Sequence, residues 1–176
     1  MLLVPTPIPG VHVIEMLKLD DERGFFAVQF SREEFLAHGL NPHIEQINVS
    51  YNAARGTLRG MHYQEPPFAE AKVVRCMRGA ACDVVVDLRP ASPTFRQWFS
   101  IDLTAENRRA IYIPEGIAHG FQTLADHTEV LYTVSAPYAP SHYRGVRWDD
   151  PAFGIRWPEA SHRTIHARDR EYSDFK

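Results

Sequence analysis

Alternating and β-branched hydrophobic runs dominate the chain beyond residue 42, and each is of strand length. Gly, Pro, Asn or Asp turn signals bound them. They are HIEQINVSY, KVVRCM, ACDVVVDL, QWFSIDL, RAIYIP, HGFQTL and TEVLYTVSA. Only one stretch before them has a clear helical pattern. Many short strands with so little helix predict an antiparallel sandwich or barrel rather than a helix-covered parallel sheet.

The helical stretch is SREEFLAHGL. Ser31 is suited to the N-cap and Glu34 follows three residues later, which is the capping-box pattern. Gly39 stands where a glycine commonly ends a helix. We expect one short helix here.

Polar residues fall on the same faces of several predicted strands. In TEVLYTVSA the period of two places Tyr132 on a face with two valines, so we expect it to point into the barrel or into a cleft. In EQINVSY the same period groups Gln46, Asn48 and Ser50. A small-molecule site inside the barrel would be lined by such side chains.

The segment GTLRGMHYQ carries two candidate site residues on one predicted strand. Strict alternation would separate Arg59 and His62 onto opposite faces, unless Gly60 permits a β-bulge. Lys72 opens the next strand, and His119 follows a Pro-Gly turn in IPEGIAHGF. Ordinary structural interpretations also exist, because Lys72 could be a solvated edge charge and Arg59 could pair with a carboxylate.

Composition restricts the class of protein. The 176 residues are 44% hydrophobic and 23% charged, which predicts a single globular domain over residues 1–176. A net charge of −3 with scattered Lys and Arg argues against a nucleic-acid partner. No apolar run is long enough for a bilayer, and MLLVPTPIPGVHVIE has no basic start, so we expect a cytoplasmic protein with no membrane partner. Cys76 and Cys82 are expected to be reduced core thiols.

A metal-dependent cupin is the main alternative suggested by the residues. His62 and His119 fit two of the positions that bind metal in such barrels, but Gln64 stands where a further histidine is expected. Two histidines without a third nitrogen or carboxylate ligand make a poor zinc or iron site. No metal is therefore expected, while a metal-dependent dioxygenase or isomerase stays open.

Longer motifs carry a resemblance. The segments DERGFF, QINVSYN, GTLRGMHYQ, VVVDLRPASPTF, IPEGIAHGF, VLYTVSAPYAP, GVRWDDPAFGIRWP and HARD occur in this order from end to end. In them the chain resembles the dTDP-4-dehydrorhamnose 3,5-epimerase family, metal-free cupins that act on nucleotide-linked 4-keto sugars in deoxysugar and cell-surface polysaccharide biosynthesis. The resemblance implies an all-β, cupin-type jelly-roll barrel with one or a few short helices.

The resemblance also implies a mechanism. An epimerase removes an acidic proton next to a ketone, holds the enolate and returns a proton from the other face. By the family pattern His62 is the base, Asp169 orients it, Lys72 stabilises the enolate oxygen and Tyr132 is the opposite-face acid. No cofactor is implied, because no redox step occurs.

Substrate binding and assembly follow from the same resemblance. Family ligand-contact positions correspond to Arg23, Gln46, Asn48, Arg59, His119, Tyr138 and Arg168. Arg59 would bind the diphosphate and Tyr138 would stack on the nucleotide base. Family members are homodimers that exchange N-terminal strands, so Arg23 would serve the partner's site.

Two positions depart from the family pattern. Val28 and Tyr143 stand where the family usually carries glutamates on the nucleotide side. An epimerase that acts at only one carbon or on a different nucleotide sugar therefore stays open. A non-catalytic sugar-nucleotide-binding cupin is a third class, which the intact set of catalytic positions disfavours.

Overall fold

The computed structural model describes residues 1–176, and strands make up most of its regular structure. The two short helices are α1 (Arg32–Ala37) and α2 (Ala167–Arg170). The strands are β1 (Leu2–Pro5), β2 (His12–Glu15), β3 (Leu19–Asp21), β4 (Gly24–Phe26), β5 (Gln46–Asn52), β6 (Thr57–Gln64), β7 (Lys72–Arg78), β8 (Ala80–Asp87), β9 (Trp98–Thr104), β10 (Ala110–Ile113), β11 (Ile117–Thr123), β12 (Thr128–Val134), β13 (Tyr143–Gly145) and β14 (Thr164–Ile165).

The strands form two antiparallel sheets that pack against each other. The first sheet has the order β1-β2-β10-β7-β12-β5, and the second has the order β13-β6-β11-β8-β9. Strand β14 adds to the second sheet as a parallel partner of β6, while β3 and β4 form a separate hairpin. The predicted antiparallel jelly-roll architecture is confirmed, and all the predicted strands are present. Strands β1 to β4, β13 and β14 were not predicted.

A core of twelve buried residues lies between the sheets. Val74 and Ile111 come from the first sheet, whereas Val85 and Phe121 come from the second. Strand β8 is buried on both faces, because its other side is covered by a second cluster that includes Phe153 of the C-terminal segment. This double coverage explains why ACDVVVDL is nearly continuous in hydrophobic residues.

Helix α1 follows its sequence signals with one difference. Ser31 Oγ accepts a hydrogen bond from the Glu34 backbone N–H at 3.3 Å, and Gly39 has a φ of 68° just after the helix. The Glu34 carboxylate instead accepts from the Met1 amino group at 2.8 Å, so only half of the capping box forms. The terminal ammonium is the stronger donor for a carboxylate.

Two expectations about the whole chain can be compared with the structure. Cys76 and Cys82 are both free and buried, as predicted. None of the helices has the length and apolar character that crossing a bilayer requires.

Candidate active site

A cavity of about 860 Å³ opens where the two sheets face each other. The first sheet contributes Gln46, Asn48, Ser50, Lys72 and Tyr132 to its lining, and the second contributes Arg59, His62 and His119. Phe121 and Tyr132 also contact the core between the sheets, which closes the inner end of the cavity. The polar groups predicted to share faces are therefore brought to one site.

A β-bulge explains how Arg59 and His62 come to face the same cavity. In the pairing of β6 with β11, Arg59 lies opposite Phe121 and His62 lies opposite His119. Three steps along β6 are therefore matched by two along β11, and the extra residue reverses the alternation of side chains. Gly60 lies within this irregularity with a φ of 127°. The bulge that Gly60 was expected to permit is confirmed.

No side chain fits at Gly60. A Cβ there would lie 2.5 Å from Gly120 Cα and 2.9 Å from the His119 carbonyl oxygen. The left-handed φ would strain any L-residue as well. Glycine is therefore required at position 60, both for the backbone conformation and for the close approach of β6 and β11.

The proposed base is held by a carboxylate from the far end of the chain. Strand β14 pairs with β6, opposite Leu58, and α2 follows directly. His62 Nε2 lies 2.8 Å from Asp169 Oδ1, and Asp169 Oδ2 accepts from the Gly60 backbone N–H at 3.2 Å. Both carboxylate oxygens are therefore engaged, which fixes the imidazole plane.

Burial and charge set the protonation states of this pair. Burial lowers the pKa of His62 below its ordinary value and outweighs the opposing effect of Asp169; Lys72 and Arg168 lower it further. Burial of Asp169 would raise the pKa of its carboxyl, but the His62 and Gly60 hydrogen bonds reverse this and hold it below normal. A neutral imidazole beside an ionised carboxylate is the arrangement that a general base requires.

Tyr132 approaches from the opposite wall. It lies on β12, paired with Asn48 of β5 and Val74 of β7, all in the first sheet. Burial raises the pKa of its phenol, the charge of Glu70 adds to this, and Arg59 acts in the other direction. The Tyr132 hydroxyl makes no hydrogen bond within the chain. It is thus a protonated donor that faces the cavity from the side opposite His62.

Lys72 and His119 are each paired with a buried carboxylate. Lys72 Nζ lies 3.0 Å from Glu70 Oε1, and the lysine side chain is 9% exposed, so the solvated-edge interpretation of Lys72 is wrong. His119 Nε2 lies 2.9 Å from Asp83 Oδ2. Burial raises the pKa of Asp83, although His119 and Lys72 oppose the rise.

Arginine and tyrosine side chains surround the opening. Arg59 Nε donates to Asn52 Oδ1 at 2.8 Å, which orients the guanidinium. Tyr138 is 58% exposed at the rim, and Arg168 is half exposed nearby. The remaining predicted contact residue, Arg23, is not part of this cavity: it lies on the β3–β4 turn, 82% exposed, and pairs with Asp21.

Tyr143 lies in the cavity lining next to His62. Its ring centre is 5.2 Å from that of His62 and 5.4 Å from that of Tyr138, and the Arg168 guanidinium carbon is 5.0 Å above its ring. Tyr143 thus lies between the base and the rim of the cavity. Because β13 pairs directly with β6 beside His62, Tyr143 lies near His62 as well as near Tyr138, and its assignment to the nucleotide side stays a prediction.

Sequence reasoning missed two carboxylates of the site. Asp83 interrupts the apolar run ACDVVVDL, and a charged residue at a buried strand position is a signal that could have identified it. Glu70 lies in the loop before β7, where no periodicity indicates which side chains turn inward. Only the fold reveals its place next to Lys72.

Gln64, at the position where metal-binding cupins would carry a histidine, has a different set of contacts. Its Nε2 donates to the carbonyl oxygens of Phe68 at 2.9 Å and Pro137 at 3.2 Å, and its Oε1 accepts from Ala139 N at 2.7 Å. The amide thus joins the β6–β7 loop to the loop that carries Tyr138, and Gln64 itself is not part of the cavity lining. No group of three His, Cys, Asp or Glu side chains has a metal-binding arrangement.

Known proteins are similar to this chain in sequence and in fold. A family model described as dTDP-4-dehydrorhamnose 3,5-epimerase matches residues 5–176. An enzyme of that name from Sinorhizobium fredii is 43% identical over 162 residues, covering 92% of this chain and 83% of the relative. The crystal structure of the Elizabethkingia anophelis dTDP-4-dehydrorhamnose 3,5-epimerase has a TM-score of 0.96 at 34% identity and covers 99% of this chain and 96% of its own.

A further solved structure is that of a 3'-monoepimerase from Streptomyces bikiniensis in complex with dTDP-quinovose. It has a TM-score of 0.89 at 37% identity and covers 97% of this chain and 86% of its own. Because the family model spans almost the whole sequence, the chain belongs to the dTDP-4-dehydrorhamnose 3,5-epimerase family of isomerases.

Proposed function

We propose that this enzyme epimerises a dTDP-4-dehydro-6-deoxyglucose-type sugar to the dTDP-4-dehydrorhamnose type by deprotonation and reprotonation beside the ketone. The observation that carries the proposal is the position of a base and an acid on facing sheets. His62 extends from β6 of the second sheet and Tyr132 from β12 of the first, into one cavity. A flat enolate between them would meet the base on one face and the acid on the other.

The chemistry starts at His62. Because Nε2 donates to Asp169, the lone pair lies on Nδ1, which removes the proton from the carbon next to the ketone. The C–H electron pair forms a C=C bond to the carbonyl carbon, and the C=O π pair moves to the oxygen, which gives the enolate. Lys72 donates a hydrogen bond to that oxygen. Tyr132 then delivers its proton to the opposite face, and the configuration inverts.

The nucleotide half binds at the rim. Arg59 Nε donates to Asn52 Oδ1 and Nη2 to the Tyr51 carbonyl oxygen at 3.4 Å, and the remaining N–H groups of the guanidinium suit the oxygens of a diphosphate. Tyr138 is exposed beside Tyr143 and offers a face on which a base stacks. Gln46, Asn48, His119 and Arg168 provide the remaining polar contacts to the substrate.

A second copy of the chain completes the assembly in this proposal. The residues of the β3–β4 hairpin are exposed, with Leu19 at 68% and Phe26 at 66%. Such apolar exposure is typical of an interface. In a homodimer that exchanges this hairpin, Arg23 would reach the partner's cavity. Two reduced thiols agree with a cytoplasmic location.

Proton NMR of the purified enzyme with dTDP-4-dehydro-6-deoxyglucose tests the function. We expect inverted product, and the same rate after EDTA treatment and dialysis. Turnover at one carbon alone would narrow the activity to a monoepimerase. Absence of any turnover, or loss in EDTA that a divalent metal restores, would contradict the proposal, and the latter would favour a metal-dependent cupin.

A further inference from the structure

A buried carboxylate that the mechanism above does not use lies in the cavity wall. Glu70 comes from the loop that joins β6 to β7, and its side chain is 8% exposed. Its Oε1 lies 3.0 Å from Lys72 Nζ, and Lys72 has no other carboxylate partner. Moving two charges out of water costs free energy, so neighbouring groups must stabilise an ion pair that is buried in this way.

Gln64 anchors this carboxylate. Its Nε2 lies 3.3 Å from Glu70 Oε2, while the same amide contacts Phe68 O, Pro137 O and Ala139 N. The side chain of Gln64 is itself buried. Glu70 thus has Gln64 at Oε2 and Lys72 at Oε1, and Gln64 connects it with the loop that carries Tyr138, so both carboxylate oxygens have a partner.

The Glu70–Lys72 pair lies next to the proposed acid. Lys72 is opposite Val134 of β12, and Tyr132 is opposite Val74, so Lys72 and Tyr132 are diagonal neighbours on one face of the first sheet. Both line the cavity together with Glu70. Glu70 raises the pKa of the Tyr132 phenol.

Other charges act on the same groups. Arg59 of β6 lowers the pKa of Tyr132. Tyr143 of β13 also interacts with Tyr132, while Lys72 acts on His62 of β6 and Asp83 of β8. Among these neighbours, Glu70 is the carboxylate that raises the pKa of the Tyr132 phenol, and it lies in the loop that leads into β7 of the first sheet.

We propose that Glu70 is a positioning residue, which orients the Lys72 ammonium toward the ketone oxygen and places a negative charge in the cavity wall that holds Tyr132. The inference rests on the proposed epimerase function. A lysine neutralised by a neighbouring carboxylate acts through a directed N–H rather than through its net charge, so its direction matters. Lys72 Nζ lies 3.0 Å from Glu70 Oε1 and both side chains line the cavity, so the carboxylate fixes the position from which the ammonium acts.

Glu70→Gln tests the charge, because it keeps the length of the side chain. Loss of the negative charge favours ionisation of Tyr132, so the alkaline limb of the kcat/KM profile should move to lower pH by roughly half a unit to one unit. Glu65→Gln is the control: Glu65 lies on the same loop but pairs with Arg144 at the surface. Its profile should match that of the wild type. An unmoved limb in Glu70→Gln would overturn the proposal.

Glu70→Asp tests position separately. The charge remains but the shorter side chain withdraws from Lys72, so we expect kcat to fall about tenfold or more while KM and the alkaline limb stay near wild type. A purely structural role would instead lower thermal stability and leave the pH profile and kcat unchanged. That second result would contradict the proposal.

A readout without substrate separates this inference from the epimerase proposal. The chain has three lysines, Lys18, Lys72 and Lys176, so trace acetylation can be followed by peptide mass spectrometry. In Glu70→Gln, labelling of Lys72 should rise severalfold relative to the other two, because the amine has lost its partner. Equal Lys72 labelling in wild type and variant would overturn the positioning role even if the enzyme proved inactive on every sugar tested.

Discussion

His62 is the residue on which the proposed chemistry depends most. In His62→Asn the amide has no basic lone pair, so epimerisation should fall by about 10²- to 10⁴-fold. Binding of dTDP, measured by calorimetry, should persist because Arg59 and Tyr138 are untouched. His43→Asn is the control, since His43 also pairs with a carboxylate but is exposed outside the cavity. Near wild-type turnover in His62→Asn would exclude it as the base.

The protonation state of His62 gives a second prediction at the residue scale. Burial lowers its pKa, and the neutral form is the active one, so activity should rise with pH through a limb below the ordinary histidine value of about 6.5. Asp169 opposes that lowering. Asp169→Asn should therefore move the acid limb to still lower pH and reduce kcat, since the imidazole loses its orienting carboxylate. A limb that moves upward would contradict this assignment of charges.

At the scale of elements, the bulge in β6 determines that Arg59 and His62 face the same cavity. Gly60→Ala would bring a Cβ against Gly120 and His119 in a left-handed conformation, so we expect a loss of about 3 kcal/mol or more in urea unfolding, together with loss of activity. Gly39→Ala is the matched control. Gly39 also has a positive φ, but its added Cβ would meet nothing within 4 Å, so its cost should be about 1 kcal/mol. Equal costs for both variants would show that the close approach at Gly60 does not matter.

The alternation of hydrophobic and polar residues explains which strands could be predicted from the sequence. Strands such as β8 and β12 lie where the hydrophobic patterns put them, because each has a face in a core. The exposed strands β3 and β4 bury no face, so they leave no periodic signal. Gly60 indicated a possible bulge, but only the pairing with β11 shows that it turns Arg59 and His62 to the same side.

Long-range contacts set the limit on predicting the site. Asp169 lies 107 positions from His62, and only the resemblance to a family joined them in advance. Glu70 had no signal at all, since its inward direction depends on the bonds that Gln64 makes with two loops. Tyr143 was noticed as a departure, yet its contact with His62 follows from the β13–β6 pairing.

At the scale of the whole molecule, the two sheets act as two walls with different chemical roles. In the proposed mechanism the second sheet carries the base His62, next to Asp169 of α2, and the first sheet carries the acid Tyr132, next to the Glu70–Lys72 pair. This division suits inversion at carbon, because reagents on facing walls contact opposite faces of a ring. It also predicts that one wall can be disabled while the other continues to work.

Position-resolved deuterium uptake tests this central claim most directly. The 4-keto sugar nucleotide is incubated in deuterated water with wild type, with Tyr132→Phe and with Tyr63→Phe, a control on β6 outside the cavity lining. Label and configuration at carbons 3 and 5 are then read by NMR. We predict label with inversion for the wild type and the control, and label with far less inversion for Tyr132→Phe, because His62 still exchanges the proton. Equal loss of label and inversion in Tyr132→Phe would contradict the two-wall account.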